Sequence, residues 1–273
     1  MVTLSLQCKS LMMNISLEDK TALVCGSTQG IGLAVAKELA NLGATCLLLA
    51  RNEEVLKETA QLLPAPNQQL HEYFVADFAD PKQVEKLVAK IVSNHTVHIL
   101  INNTGGPKAG PIIEAAEEEF TNAFQQHLIN NHILTKATIP GMKTAGYGRI
   151  INIISTTVRI PLNNLGVSNT IRAAVASWSK TMANELGQYN ITFNNILPGY
   201  TDTQRLRSLI DDISKRRGVS KELVEKEMID SIPMKRLGDA SEIATVVSFL
   251  ASPAASYVNG VSIPVDGGKT GTV

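Results

Sequence analysis

Thr21-Ala22-Leu23-Val24-Cys25-Gly26-Ser27-Thr28-Gln29-Gly30-Ile31-Gly32 is the stretch whose reading decides the fold. Its first five residues form an apolar run of buried-strand length. Ile31, Ala34, Val35, Leu39 and Leu42 follow at helical spacing, and Gly43 stands where a helix C-terminal glycine belongs. Between strand and helix the glycines are spaced Gly-x3-Gly-x-Gly. Such a turn bends sharply, lets the backbone approach a pyrophosphate, and sets that group on the helix N-terminus. Three glycines alone would say little. Between a buried strand and an amphipathic helix near the chain start, they predict a dinucleotide-binding βα unit.

The same alternation continues along the chain. Further strands are expected at Thr45–Ala50, around Tyr73–Ala76, and at Ile99–Asn102, Arg149–Ile154, Ile191–Ile196 and Val261–Val265. Ile171, Val175, Trp178 and Met182 form one later helical stripe, and Ile243, Val246, Val247 and Leu250 another. Strands alternating with helices imply right-handed crossovers and a mostly parallel sheet covered on both faces. The fold class is therefore α/β: a single doubly wound Rossmann-type domain over residues 17–273 with a mostly parallel seven-stranded sheet. Residues 1–16 read as an N-terminal arm, or as an over-long start ahead of Met13. The charged, helical segment 205–236, inserted after the sixth strand, is expected to be a lid over the substrate; a solvated helix pair is the alternative.

Composition narrows the function classes. The 273 residues carry 25 basic and 25 acidic side chains, 44% are hydrophobic and 18% charged, which excludes a disordered chain. Zero net charge removes the electrostatic argument for nucleic acid or an anionic membrane as partner. No apolar run approaches the roughly 20 residues that span a bilayer. Cys8, Cys25 and Cys46 are too few and too scattered for a disulfide framework or a zinc site, so no metal is expected and a reducing, cytoplasmic setting is.

Candidate cofactor contacts follow from the strand ends. Gly26, Ser27, Thr28, Gly30, Ile31 and Gly32 form the turn itself. A carboxylate at the tip of the second strand would bind ribose hydroxyls and repel a 2′-phosphate. That place holds Ala50, followed by Arg51 and Asn52, so a cationic fork favours NADP(H) over NAD(H). Asp77, with Phe78 beside it, is placed to meet the adenine amino group. Asn103 and Gly105 lie in the small-residue run Asn102–Gly106, where a cofactor can rest against backbone.

Together these features resemble the classical short-chain dehydrogenase/reductase family, from about Leu17 onward. The family's Thr-Gly-x3-Gly-x-Gly turn matches residues 25–32 with Cys25 for threonine, and its Asn-Asn-Ala-Gly run matches residues 102–105 with Thr104 for alanine. Gly148-Arg149-Ile150-Ile151-Asn152-Ile153-Ile154-Ser155 matches the strand leading to the family's catalytic serine. Pro198, Gly199, Thr201 and Thr203 match the turn that contacts the nicotinamide. Arg236-Leu237-Gly238-Asp239 and Val265-Asp266-Gly267-Gly268 look like the 3-oxoacyl-carrier-protein reductase branch. The resemblance implies a carbonyl substrate and a homo-oligomer, dimer or tetramer, with Phe124, Trp178 and Met182 as possible apolar packing surface.

The catalytic positions depart from the family, which uses asparagine, serine, tyrosine and lysine. Ser155 is retained. Ser168 stands thirteen residues on, where tyrosine is expected; Arg172 replaces lysine and His127 replaces asparagine. Serine is a far weaker acid than tyrosine; Arg172 can keep the positive charge and still bind the nicotinamide ribose, as the family's lysine does, but arginine is a poor proton donor. General acid catalysis contributes about 10²–10⁴-fold, so reduction can survive its loss if Ser155, Ser168 and Arg172 stabilise the oxyanion. Two substitutes are open: His127 titrating near neutrality in a proton relay, with a hydrogen-bonded structural histidine as the equal alternative, and Tyr200 in the turn after Gly199, for which pocket lining is the blander role. Lys108, Arg159 and Arg172 would make the mouth cationic. The expected activity is NADP(H)-dependent reduction of a carbonyl, 3-oxoacyl in type; the alternatives are NADP(H) binding with little turnover and non-redox chemistry.

Overall fold

The computed structural model describes residues 13–272. Its first half runs β1 (Thr21–Cys25), α1 (Gly30–Asn41), β2 (Thr45–Ala50), α2 (Glu53–Leu62), β3 (Glu72–Val75), α3 (Pro81–Asn94) and β4 (Ile99–Asn102). The second half runs α4 (Glu117–Phe124), a π-helical turn (Gln125–Ile129), α5 (Asn130–Ala145), β5 (Gly148–Ile153) and α6 (Gly166–Leu186). It closes with β6 (Ile191–Pro198), α7 (Gln204–Arg217), α8 (Lys221–Asp230), α9 (Ala240–Ala251) and β7 (Ser262–Val265). The seven strands lie in the order β3-β2-β1-β4-β5-β6-β7, and every pairing is parallel. After β3 the chain crosses back over β1, so the order reverses between β1 and β4. In α/β sheets that reversal opens a crevice at the carboxyl ends of the strands.

Strand side chains divide between two cores. Ala22 and Val24 of β1 pack with Val35 and Leu39 of α1 and Val247 and Leu250 of α9. Leu23 and Cys25 face the other way, onto α3, α5 and α6 through Val88, Leu134 and Ala183. Because both faces are covered, the strands read as continuous apolar runs rather than alternating ones. Trp178 and Met182 join this second core, Trp178 edge-on to Phe193, while Phe124 stays exposed. Of the arm expected over residues 1–16, residues 1–12 lie outside the described residues; Asn14 accepts from the Ala254 N–H.

One polar line crosses the apolar sheet. Asn102, Asn152 and Asn195 are register partners on β4, β5 and β6, all buried. Asn102 Nδ2 donates to Asn152 Oδ1 at 2.8 Å, and Asn152 Nδ2 donates to Asn195 Oδ1 at 2.9 Å and to Ser179 Oγ on α6 at 3.1 Å. Asn195 Nδ2 continues to Ser262 Oγ on β7 at 3.1 Å. Amides buried in hydrocarbon are costly unless paired, so each link holds its neighbour in register.

The segment after β6 folds as two helices with a small core of their own, Leu206, Ile210, Val224 and Met228. Arg217–Glu227 and Lys221–Asp211 ion pairs join the helices on the outside.

Asn152→Ala strips the ladder of its centre and leaves Asn102 Nδ2 and Asn195 Oδ1 unpaired. We expect a loss of about 2–3 kcal/mol in urea unfolding at an unchanged denaturant slope. A loss below about 0.5 kcal/mol would show that the ladder does not hold the strands.

Candidate active site

The crevice begins at the Gly26–Gly32 turn. Gly26 and Gly30 have φ of +60° and +53°, and a Cβ on Gly32 would lie 2.0 Å from the Gly26 carbonyl oxygen. Glycine is therefore required here by backbone conformation and by close approach. Asn103 locks the turn: its Nδ2 donates to the carbonyls of Cys25 and Gly26, both at 3.2 Å. No side chain caps the N-terminus of α1, since Gln29 makes no capping bond, and Ser27 Oγ is buried without a partner. An uncapped helix start beside an unsatisfied hydroxyl fits the diphosphate of a dinucleotide. Ile31 is half-buried at the start of α1, and Thr203 approaches Gly30 from the opposite wall.

Along the crevice, Arg51 is exposed at the end of β2 and Asn52 caps α2 by accepting from the Val55 N–H. Asp77 Oδ1 accepts from Ala79 N–H, and the Phe78 carbonyl accepts from Asn130 Nδ2. Gly105 is open, with nothing within 4 Å of an added Cβ. On the far wall the Gly199 N–H donates to the Val265 carbonyl. A Cβ on Gly199 would meet Asp266 at 2.6 Å. Thr201 is buried, and Thr203 Oγ1 caps α7.

Arg172 organises the reaction end. Its Nη1 donates to the carbonyls of Ile153 and Ile154 at 3.1 and 3.0 Å, just before Ser155, and its Nε donates to Ser168 Oγ at 3.2 Å. One guanidinium thus ties the end of β5 to the first turn of α6 and brings the Ser155, Ser168 and Arg172 regions together. Ser155 Oγ accepts from the Thr157 N–H at 3.2 Å, so both serine oxygens are held as acceptors and their hydroxyl protons remain free to donate. Burial and the charge of Arg205 lower Arg172 to about 10, so it stays cationic at neutral pH.

The structure favours the hydrogen-bonded structural reading of His127 and places Tyr200 and Arg159 as follows. His127 does not titrate near neutrality: burial and the positive charge of Arg172 push it down to about 3. Its Nδ1 lies 2.6 Å from Thr104 Oγ1, and its Nε2 is buried without a partner. Tyr200 packs against the α7–α8 core with Lys269 over its ring, and burial raises its pKa, which makes it a poorer acid. Arg159 donates to the Ser262 carbonyl on β7 at 2.9 Å instead of joining Arg172. Lys108 does line a cavity of about 310 Å³, with Gly110, Val167 and Arg216. Sequence reasoning missed Arg205, whose Nη2 donates to the Pro107 carbonyl at 2.7 Å and so reaches from α7 to the loop after β4.

The family profile described as enoyl-(acyl carrier protein) reductase matches residues 26–270. The chain is 34% identical to the 3-oxoacyl-[acyl-carrier-protein] reductase FabG of Pseudomonas aeruginosa, covering 93% of this chain and 98% of that protein. It belongs to the short-chain dehydrogenase/reductase family. The NADPH-dependent reductase BacG of Bacillus subtilis is 31% identical, again over 93% of this chain and 98% of its own length. Among solved structures, L-sorbose reductase from Gluconobacter frateurii, complexed with NADPH and L-sorbose, superposes with a TM-score of 0.89. That match has 31% identity and covers 96% of this chain and all of that one.

The buried neutral His127 should couple stability to pH. Its folded pKa of about 3 lies below its unfolded value of 6.5, so from pH 6.5 downward only the unfolded chain gains the proton. Stability is complete above pH 6.5 and lost as pH falls, by about 2 kcal/mol at pH 5. His127→Asn should shed that portion of the acid loss; equal pH slopes for both proteins in denaturant titrations between pH 7 and 5 would refute the assignment.

Proposed function

We propose that the chain is an NADP(H)-dependent reductase of a carbonyl compound, 3-oxoacyl in type, working with Ser155, Ser168 and Arg172. The observation that carries this reading is the bridge made by Arg172 between the end of β5 and Ser168. It sets a fixed positive charge and two hydroxyl donors at the edge where the family's reaction takes place. The glycine turn, the uncapped start of α1 and Ser27 Oγ would hold the diphosphate of NADP(H), and Arg51 its 2′-phosphate. The wall formed by Pro198, Gly199 and Thr201 would flank the nicotinamide. When bound, the cofactor supplies hydride to the carbonyl carbon.

The protein's own task is then to stabilise the developing alkoxide. Ser155 and Ser168 donate hydroxyl protons in hydrogen bonds, and Arg172 adds a charge that needs no reorganisation during the reaction. Ser168 is oriented by Arg172 Nε, as the absent tyrosine would have been by lysine. No side chain here combines position and acidity to deliver the proton, so water reaching Ser168 and Arg172 completes the alcohol. That same lack of an acid supports the second reading, an NADP(H)-binding protein with little turnover. Assembly as a dimer or tetramer, and a cytoplasmic setting, go with the family reading; the α7–α8 pair is the proposed lid.

NADPH titration followed by absorbance decay across 3-oxoacyl esters, ketones, aldehydes and quinones separates the readings, because binding without consumption on every compound removes the reductase. With a turning-over substrate, Ser155→Ala should lower kcat by at least about tenfold, and an unchanged rate would remove Ser155 from the oxyanion contact. Arg51→Asp should weaken NADPH about tenfold relative to NADH; equal losses would contradict the 2′-phosphate contact.

A further inference from the structure

The space over Gly106 is shaped by cations. An added Cβ there would lie 3.3 Å from Arg205 Nη2, 3.5 Å from Arg172 Nη2 and 3.6 Å from Arg205 Nε. Three guanidinium nitrogens, from two helices distant in the sequence, converge on one point that glycine leaves empty. Their neighbours do not neutralise them. Arg172 is held by two backbone carbonyls and Ser168 Oγ, and Arg205 by the Pro107 carbonyl. Among the described residues, neither forms an ion pair with a carboxylate, and Arg172 Nη2 and Arg205 Nε have no hydrogen-bond partner. The mutual repulsion is felt, since Arg205 contributes to lowering Arg172. Paired arginine forks with free donors match the two oxygens of a carboxylate.

We propose that Arg172, Arg205 and Gly106 form a carboxylate-binding site, so that the substrate is a free oxo acid rather than an uncharged ketone or a thioester. This deepens the reductase reading and rests on it for the carbonyl. The site lies on the reaction side of the crevice, where Arg172 meets the end of β5 and Ser168. The uncapped α1 terminus that suits phosphate is at the end of β1, with β4 between. A neighbouring open pocket of about 310 Å³, lined by Lys108, Gly110 and Val167 and also by Glu114, Glu119 and Asp212, begins two residues beyond Gly106 in the same loop. Because Arg205 lies in the first turn of α7 and, among the described residues, its one side-chain hydrogen bond is to Pro107 O, an arriving carboxylate would also fasten α7 to the loop after β4.

Calorimetric titration of the protein, with and without saturating NADP+, with 3-oxohexanoate and with methyl 3-oxohexanoate tests the site directly. The acid should bind at least tenfold more tightly than the ester. Arg205→Met should abolish that preference and Arg205→Lys should restore part of it, while NADP+ affinity stays within threefold of the wild type. Gly106→Ala, which keeps both arginines but narrows the space, should also weaken the acid. Equal binding of acid and ester, or binding of neither, overturns the site. Parallel loss of NADP+ and acid in Arg205→Met overturns it as well, because the pair would then serve the cofactor's phosphates. Preference for the acid without NADPH consumption leaves the site standing and removes the reductase reading. Equal consumption of acid and ester does the reverse.

Discussion

The buried amide line through Asn102, Asn152 and Asn195 is the constraint on which the rest of the molecule depends. Three strand ends that line the crevice stand within a few residues of these asparagines: Asn103 after β4, Ser155 after β5, Pro198 and Gly199 at the end of β6. A slip of one residue in any of these strands would turn its side chains to the other face of the sheet. An all-apolar sheet interior resists such slips only through packing. Hydrogen-bonded amides resist them because a slipped register buries four or more unsatisfied polar groups, at about 1–3 kcal/mol each. The crevice is therefore held from beneath by the sheet rather than by its own loops.

Above that base, electrostatics follow from one substitution. A lysine in place of Arg172 would present a compact ammonium. The guanidinium instead spans from the Ile153 and Ile154 carbonyls to Ser168, and still directs a free nitrogen toward Gly106. Its fixed charge, with burial, holds His127 neutral, and a neutral His127 can share a hydrogen bond with Thr104 without adding a third cation. Burial first, and then the charge of Arg205, lowers the pKa of Arg172, so the two guanidinium groups that approach over Gly106 repel one another. The chain as a whole has no net charge. Its positive potential is a local property of the crevice.

What the sequence disclosed was local. The strand–turn–helix at residues 21–41, the seven strands and the helical segment after β6 all express themselves in periodicity and glycine placement; the strands lie within a residue or two of their expected bounds, while the helices after β6 end at Asp230, short of residue 236. The amide line left a trace too, as lone asparagines inside apolar runs, though only the pairing order joins them. The π-helical turn at residues 125–129 has no signal of that kind, and it carries the buried His127, whose pKa burial and then the charge of Arg172 lower. Arg205 looked like one charge among many in a charged segment. Its meeting with Pro107 and Arg172 depends on the packing of α7, which no spacing rule encodes. Arg159 failed for the same reason in reverse, since β7 passes close enough to take its donor.

On the proposed reading, Ser168 and Arg172 at the family's tyrosine and lysine positions form one change. Tyrosine near a lysine supplies a proton and asks little of the substrate beyond a carbonyl. Serine near an arginine supplies hydrogen bonds and charge, which stabilise an alkoxide but deliver a proton slowly. A substrate gripped by its own carboxylate offsets part of that deficit, because orientation that is settled before hydride transfer lowers the barrier independently of acid strength. The ion pair also removes the repulsion between Arg172 and Arg205, so substrate binding relaxes a conflict built into the apo site. A site that sets the half-buried Arg172 beside the exposed Arg205 without a carboxylate between them is better suited to an anionic ligand than to a neutral one. In this fold the missing acid and the unpaired guanidinium groups are two sides of the same design.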